Sequence, residues 1–441
     1  MATGLSNVFQ KGSDFNIGVA SAGGAEKVSG MLFDVTGVDG FFSDDEFKAV
    51  FENAVVEFES LNDFKESVLY TKRSALHDIA RIACYHIEHY YGVVASGRLF
   101  VCFGTNAVAE GSKTDVWKDI IAMQKSASGL ISQIGVWTNR SLWKTAVEGD
   151  EYGLSDIVSS LNATAVTLAD IQYSAPLVIV LNANTYSVDG SAVTLSKIPS
   201  VKGRGKEWDL NWRYVSVCLG EGTTDLPTVS GSDIYCFGTI GCALGLLANG
   251  NVGNSIAWVE RGNVGGRYGD VTLGIYADSL AVEGKIAYDA VDLSDLNDLD
   301  SKGYVILRKY SGLEGGVYFS SDTTASHIES DYRTLSRNRV INKSRRLVRA
   351  VLLPYVNSPI LVNPATGLLS PATITNFTNI VTAALNSMVT SGEITEIGSV
   401  IVPADQNVLQ TDTVKMSYRL IPLGAAKYIE VEDGFSLSQG Q

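Results

Sequence analysis

An α/β fold class is predicted for this chain: a layered domain on a mixed, mainly parallel sheet, then a C-terminal α+β domain, with an extended strand arm at each end. Three observations carry the expectation. Helical and strand patterns alternate from Ser74 to Val259, the texture changes at Asp289, and apolar residues alternate with polar ones near both termini. At 441 residues the chain exceeds the size at which a single core stops growing. The expected divisions are 1–24 for the first arm, 25–280 for the α/β domain, 281–424 for the C-terminal domain and 425–441 for the second arm.

In the first arm, Phe15, Ile17 and Val19 alternate with Asn16 and Gly18, the period of a strand with one apolar face. A lone strand cannot satisfy its own backbone, so this one must pair with its own sheet or with a neighbour's edge. Ser43 ahead of Asp44, Asp45 and Glu46 reads as a helix N-cap with acids in the first turn, and Val55 to Phe58 reads as a strand. Leu76, Ile79, Ala80, Ala83 and Ile87 lay an apolar stripe on a helix over 74–91, ahead of a buried strand over 99–103. The same order recurs with helices over 115–125 and 154–168 before strands over 134–137 and 177–181. A strand over 215–219, a helix over 240–248 and a strand over 256–259 complete the alternation, and a polar excursion interrupts it at 183–212.

Beyond Asp289, acids recur at Asp292, Asp295 and Asp298 between Leu293, Leu296 and Leu299. This is a solvated acidic face with leucines turned inward; a calcium loop would want an internal glycine and less regular ligands. Two strands, 304–310 and 316–320, flank a glycine-rich turn. A helix over 337–353 stops at Pro354, and a second runs from Pro371, which suits a first turn, to about Thr390 before Gly392. Val414, Met416, Tyr418 and Leu420 then alternate as a strand, and Ile429 and Val431 alternate with Glu430 and Glu432 in the second arm.

The composition narrows the function. Charged residues are only 19% of the chain against 45% hydrophobic, lean for a protein that keeps its whole surface in water. The net charge is −14, yet residues 301–441 carry 13 basic and 11 acidic side chains, so the acidity lies upstream. Such polarity favours head-to-tail self-association, and an acidic total without a basic aromatic groove argues against nucleic acid. The five cysteines show no C-x-x-C spacing and read as reduced core residues. No basic start with an apolar run marks a signal peptide, and no apolar stretch is long enough for direct membrane insertion.

No catalytic, cofactor or metal constellation is expected. Gly203-Arg204-Gly205-Lys206 lacks the spacing of a phosphate-wrapping loop, Gly-x-Ser-x-Gly is absent, and the glycines of 250–269 do not form a dinucleotide turn. His86 and His89 lie three apart on one helix and are read as structural. An enzyme of this layered class would draw on Asp170, Asn182 or Glu221 at strand ends, a weak alternative resting on fold alone.

Two neighbouring stretches stand out. Seven basic side chains and no acid lie between Arg333 and Arg349, and Val351 to Gly392 contains no charged residue or histidine at all. Arg339, Lys343, Arg346 and Arg349 share roughly a third of the helical circumference at ~100° per residue, an expected docking face for an acidic protein. The uncharged stretch, broken by Pro354, Pro359, Pro364 and Pro371, is expected to be buried in the fold or covered by other subunits.

The C-terminal part resembles the sheath proteins of contractile phage tails and related contractile injection systems. The resemblance lies in Lys302-Gly303-Tyr304-Val305-Ile306-Leu307-Arg308-Lys309-Tyr310, Gly316-Val317-Tyr318-Phe319, Ser330-Asp331-Tyr332, and Arg339-Val340-Ile341-Asn342-Lys343 with Arg345-Arg346. It covers about 140 residues, with helix, helix and closing strands in the same order, and is weaker upstream. It implies a structural subunit, not an enzyme, that polymerises as stacked hexameric rings around an inner tube and contracts to drive that tube through an envelope. The C-terminal α+β unit would be the sheath domain. Partners would be further copies of itself, the inner tail tube protein, and baseplate and tail terminator proteins. Localisation would be the virion tail or injection particle, assembled in the bacterial cytoplasm. Arg339, Lys343, Arg346 and Arg349 would face the tube, and Phe15, Ile17, Val19, Ile429 and Val431 would pair between subunits. Another component of the same machine, a baseplate or terminator protein, is the alternative.

Overall fold

The computed structural model describes residues 26–107, 115–138, 153–170, 173–183, 195, 198, 200–202, 212–222, 237–276 and 285–435. Its elements run in chain order as β1 (Val28–Asp34), α1 (Asp45–Phe51), β2 (Val55–Phe58), α2 (Leu61–Glu66), α3 (Val68–Thr71), α4 (Asp78–Val93), β3 (Arg98–Gly104), α5 (Lys118–Ser126), β4 (Gln133–Thr138), α6 (Gly153–Ala169), β5 (Val178–Asn182), β6 (Val215–Leu219) and β7 (Glu221–Gly222). They continue as α7 (Ile240–Asn249), α8 (Gly265–Tyr268), β8 (Val271–Tyr276), β9 (Lys285–Ala287), α9 (Leu293–Ser301), β10 (Tyr304–Arg308), β11 (Tyr318–Phe319), α10 (Leu335–Leu352), α11 (Pro371–Thr390), β12 (Ile394–Ile401), α12 (Val408–Thr411) and β13 (Ser417–Pro422).

Eight strands make one mixed sheet in the order β11-β10-β6-β5-β4-β1-β3-β2, parallel except for antiparallel β11 and β2 at its two edges. The alternation of apolar side chains sorts them onto two faces. Met31, Phe33, Leu99, Val101, Phe103, Val178 and Val180 join the helices α4 and α7 in one core. Leu32, Phe100, Cys102, Ile134, Val136, Ile179 and Leu181 join α5 and α6 in the other. Helix α7 lies hard against α4 because it carries glycine where they cross: a Cβ on Gly241 would meet the His86 carbonyl oxygen at 2.4 Å, and one on Gly245 would meet Val93 Cβ at 2.7 Å.

Several expectations shift. The sequence patterning does not predict β1, because Ser29 and Gly30 break its apolar run; Gly30 packs tightly there, since a Cβ would lie 3.0 Å from Met123 Cε and 3.1 Å from Ile134 Cγ1. The first helix is capped by Asp44, whose Oδ1 accepts from Phe47 N at 2.9 Å, and not by Ser43. The strand expected over 256–259 is a run of turns, for which Gly253, Asn254, Ser255 and Gly262 supply the chemistry while Ile256 plugs the core. On α9, Leu296 and Leu299 are buried but Leu293 is exposed.

The hairpin assigned to the C-terminal domain completes the large sheet instead. Strand β10 pairs in parallel with β6, and β11 closes the edge against it. A separate apolar cluster collects Val340, Val348 and Leu352 of α10, Phe377, Val381, Leu385 and Met388 of α11, and Ile394 of β12. Between the two units stands α10.

Candidate functional site

Helix α10 begins at Thr334, whose hydroxyl accepts from Arg337 N at 3.3 Å. One flank packs in the C-terminal cluster. The cationic flank lies against the base of the large sheet. Arg346 donates from Nη1 to Gly129 O at 2.5 Å and from Nη2 to Ile131 O at 2.9 Å and Pro176 O at 2.8 Å, carbonyls just ahead of β4 and β5. Arg339 Nη2 donates to Leu247 O at 2.6 Å, within the last turn of α7, where unsatisfied carbonyls concentrate negative potential.

Lys343 completes the arrangement. Its ammonium contacts Glu393 Oε1 at 2.6 Å and also pairs with Glu26, so one side chain joins the start of the described chain to the entry of β12. Burial holds both arginines below their usual range, at about 10, and raises the Glu393 carboxyl, which Lys343 partly opposes. Arg349 is buried too.

These contacts correct the expectation of an exposed docking face. Arg339, Lys343, Arg346 and Arg349 are turned into the subunit, where α10 clamps the sheet domain to the C-terminal unit. A sequence shows cations but not the backbone carbonyls that can receive them, which is why this face read as outward. The less buried cations have local partners: Arg345 donates to Tyr214 Oη at 3.1 Å, Arg337 to Asp331 O at 3.4 Å, and Arg333 to Ile328 O at 3.1 Å.

The unsatisfied surface lies further along. Among the described residues, strands β12 and β13 pair only with each other, antiparallel, with irregular register near Thr395 and Gly398. Their apolar side, Ile397, Val400, Tyr418 and Leu420, packs on the C-terminal cluster. Their outer edges are bare among the described residues. An isolated two-stranded ribbon is marginal in water, and a bare edge is a template for another strand. Ile394 to Ile401 alternates only in part, so its pattern alone does not mark a strand.

The chain leaves β13 as a segment without secondary structure to residue 435. Among the described residues, no backbone hydrogen bond ties 424–435 to the rest; one ion pair, Lys427 with Asp300, tethers it. Tyr428, Ile429 and Val431 are 78%, 81% and 80% exposed, and Phe435 is fully exposed. Of the five residues expected to pair between subunits, Ile429 and Val431 therefore lie on this uncovered ribbon; Phe15, Ile17 and Val19 lie outside the described residues. The uncharged stretch is half covered: α11 buries Phe377, Val381, Leu385 and Met388, while Leu353 and Leu361 are exposed beside it.

The groups considered for chemistry are occupied. His86 is fully buried, with Nε2 donating to Phe237 O at 2.6 Å and Nδ1 accepting from Gly241 N at 3.3 Å; burial, then the neighbouring His89, hold it down to about 3. His89 lies with Nδ1 2.7 Å from Tyr85 O and Nε2 3.2 Å from Arg267 O. Glu221 accepts from Phe237 N at 2.9 Å inside the core, and Asn182 is fully buried, packed against Gly238. Asp170 ends α6 in a turn, its carbonyl accepting from Ser174 N at 3.0 Å.

Comparison with known proteins adds two findings. Residues 209–323 match the N-terminal domain and residues 331–440 the C-terminal domain of the family described as DUF2586, together just over half of the chain. No curated protein sequence matches. Among solved structures, the chain is similar to one from the cryo-EM structure of the anti-feeding prophage baseplate, with TM-score 0.55 and 13% identity over 99% of this chain and 98% of that one. It is also similar to one from an extracellular contractile injection system, the PVC sheath complex in its contracted state, with TM-score 0.54 and 11% identity over 99% and 96%. At these identities the likeness is one of fold, and it runs the length of both chains.

Proposed function

We propose, from the premise that the chain belongs to the DUF2586 family and carries both its domains, that it is a structural subunit of a contractile particle: a sheath protein that polymerises as stacked hexameric rings around an inner tube. The observation that carries this reading is the pairing of an unfinished sheet with an unpaired ribbon on one subunit. The β12–β13 ribbon offers two edges free among the described residues, and residues 424–435, without secondary structure of their own, offer exposed apolar side chains and backbone groups without hydrogen bonds to the rest. Twelve residues span at most about 40 Å when extended, enough to cross to a neighbouring copy. Strand addition would satisfy donor and recipient at once.

The fold likeness to chains of two contractile assemblies supports a mechanical role over catalysis. The occupied state of His86, Glu221 and Asn182 supports it from within. The first arm, with Phe15, Ile17 and Val19, would supply the second strand to the ribbon. Further copies, the inner tube protein and the particle's end components would be the partners, and the particle itself the location. With the cationic flank of α10 committed inside the subunit, the uncharged surface beside α11 becomes the better candidate for subunit contact. A second reading, a baseplate component, is favoured by the likeness to a chain from the baseplate structure.

Negative-stain microscopy of the purified full chain tests both. Long tubes or stacked rings are expected for a sheath subunit, and a population of single rings would favour the baseplate reading. A chain that stays monomeric at high concentration, alone and with its tube partner, would overturn both.

A further inference from the structure

The two edges of the ribbon differ in charge. Strand β13 and the residues leading into it, 413–422, carry Lys415 and Arg419 and no acid. Strand β12 carries Glu396 and no base. All three residues are exposed. Across the ribbon Arg419 lies opposite Ser399 and Glu396 opposite Ile421, and among the described residues none of the three charges is in an ion pair.

The C-terminal segment has the sign that β13 lacks. Residues 428–433 carry Glu430, Glu432 and Asp433 and no base, and all are exposed. In an extended strand Ile429 and Val431 fall on one side, Glu430 and Glu432 on the other. Strand β13 is two-sided in the same way. Tyr418 and Leu420 pack on the C-terminal cluster, while Lys415, Ser417 and Arg419 alternate with them and are exposed.

A strand laid along β13, with Ile429 and Val431 extending its apolar side, therefore sets Glu430 and Glu432 on the side of Lys415 and Arg419. Laid along β12 in the same manner, it sets both acids on the side of Glu396. Opposite charges on neighbouring strands attract and like charges repel, each pair changing an equilibrium by a factor of up to about five.

The occupant of the β13 edge is not the subunit's own segment. Residues 423–426 could turn the chain back onto β13, yet no backbone hydrogen bond joins 424–435 to that strand. Lys427 is instead held 2.5 Å from Asp300 Oδ2, on α9 of the large-sheet unit. Asp300 is 17% exposed at its side chain, and its other carboxylate oxygen is buried without a partner. The pair leads the chain away from its own ribbon.

On the reading that copies lend strands to one another, we infer that charge assigns the edges: residues 428–433 of a second copy dock along β13, with Glu430 and Glu432 beside Lys415 and Arg419, and Glu396 turns them away from β12. Apolar burial then supplies the attraction, and the charges select which of the two edges is filled.

The test is the concentration above which the full chain sediments as large particles. Lys415→Glu with Arg419→Glu should raise it about tenfold, since two attractive neighbours become repulsive. Glu430→Lys with Glu432→Lys should do the same. All four substitutions in one chain should restore the native concentration, because each copy both lends and receives. The four positions are exposed, so urea midpoints should match throughout. A combined chain that assembles no better than either pair, or a Lys415→Glu, Arg419→Glu chain that assembles like the native one, would overturn the inference. A Glu430→Lys, Glu432→Lys chain that assembles better than the native one would put the segment beside Glu396 on β12, overturning the choice of edge while leaving strand lending intact. Lending itself is tested by a different change, Ile429→Ser with Val431→Ser, which removes the apolar side and no charge.

Discussion

The large sheet and the β12–β13 ribbon are built from the same alternating strands, yet they treat their edges in opposite ways. The large sheet ends in short strands, two residues of β11 on one side and four of β2 on the other, and β2 adds an ion pair between Glu57 and Arg98. Short, charged, antiparallel edges are how proteins prevent unwanted pairing. The ribbon has longer strands, eight and six residues, and among the described residues no further strand covers its edges. A chain that blunts one sheet and leaves the other open would, on the proposed reading, separate the part that folds alone from the part that a neighbour finishes. The comparison can be broken by substitutions that move stability and assembly independently.

The largest effect on stability is expected in the core. Phe103 is 2% exposed and sits among Phe33, Phe41, Phe47 and Phe51 with ring centroids 5.0–5.7 Å away. Phe103→Ala should cost about 3–5 kcal/mol, since transfer and cavity terms add. Urea denaturation would measure it, and a loss under 1 kcal/mol would contradict the packing described.

The α10 seam comes next. Arg346→Ala strips the donors from three carbonyls and should cost about 3 kcal/mol. Arg346→Lys should recover less than half, because an ammonium cannot reproduce the planar fork. Were the arginine an outward docking residue, Arg346→Ala would leave the denaturation midpoint unmoved.

A third expectation concerns acid. His86 is held neutral in the fold at about 3, against 6.5 for the free side chain. The unfolded state therefore binds the extra proton first, so this contribution is complete above about pH 6.5 and is lost as pH falls towards 3. The slope is about 1.4 kcal/mol per pH unit in that window. His86→Gln can still donate to Phe237 O and accept from Gly241 N, and should flatten the acid limb by one proton. An unchanged slope would remove His86 from the account.

These cases also show what the residues disclosed in advance. The helix α11 was legible from Ser370, Pro371 and Gly392, and α4 from its apolar stripe, because caps and periodicity are local properties. Strand β1 was not, since Ser29 and Gly30 make sense only beneath Tyr90 and Met123, which the chain brings there from afar. The cations of α10 were legible as a cluster but not in their direction. Charge is written in a side chain, whereas Gly129 O, Ile131 O and Pro176 O become acceptors only after β4 and β5 have formed. The alternation of Ile429 and Val431 signalled a ribbon; the free edges of β12 and β13 that could receive it required the sheet order.

The smallest effect on stability is the one that bears most on function. Ile429 and Val431 touch almost nothing in the subunit, so replacing both with Ser should change its unfolding free energy by less than about 0.5 kcal/mol. In an assembly each would lose an apolar pocket on a neighbour's ribbon, and the backbone pairing would lose the side chains that fix its register. Sedimentation should therefore show a folded subunit that no longer forms large particles, with denaturation matching the native chain. If the doubly substituted chain assembled as well as the native one, residues 424–435 would not be the lent strand. The open edges of β12 and β13 would then need a different partner.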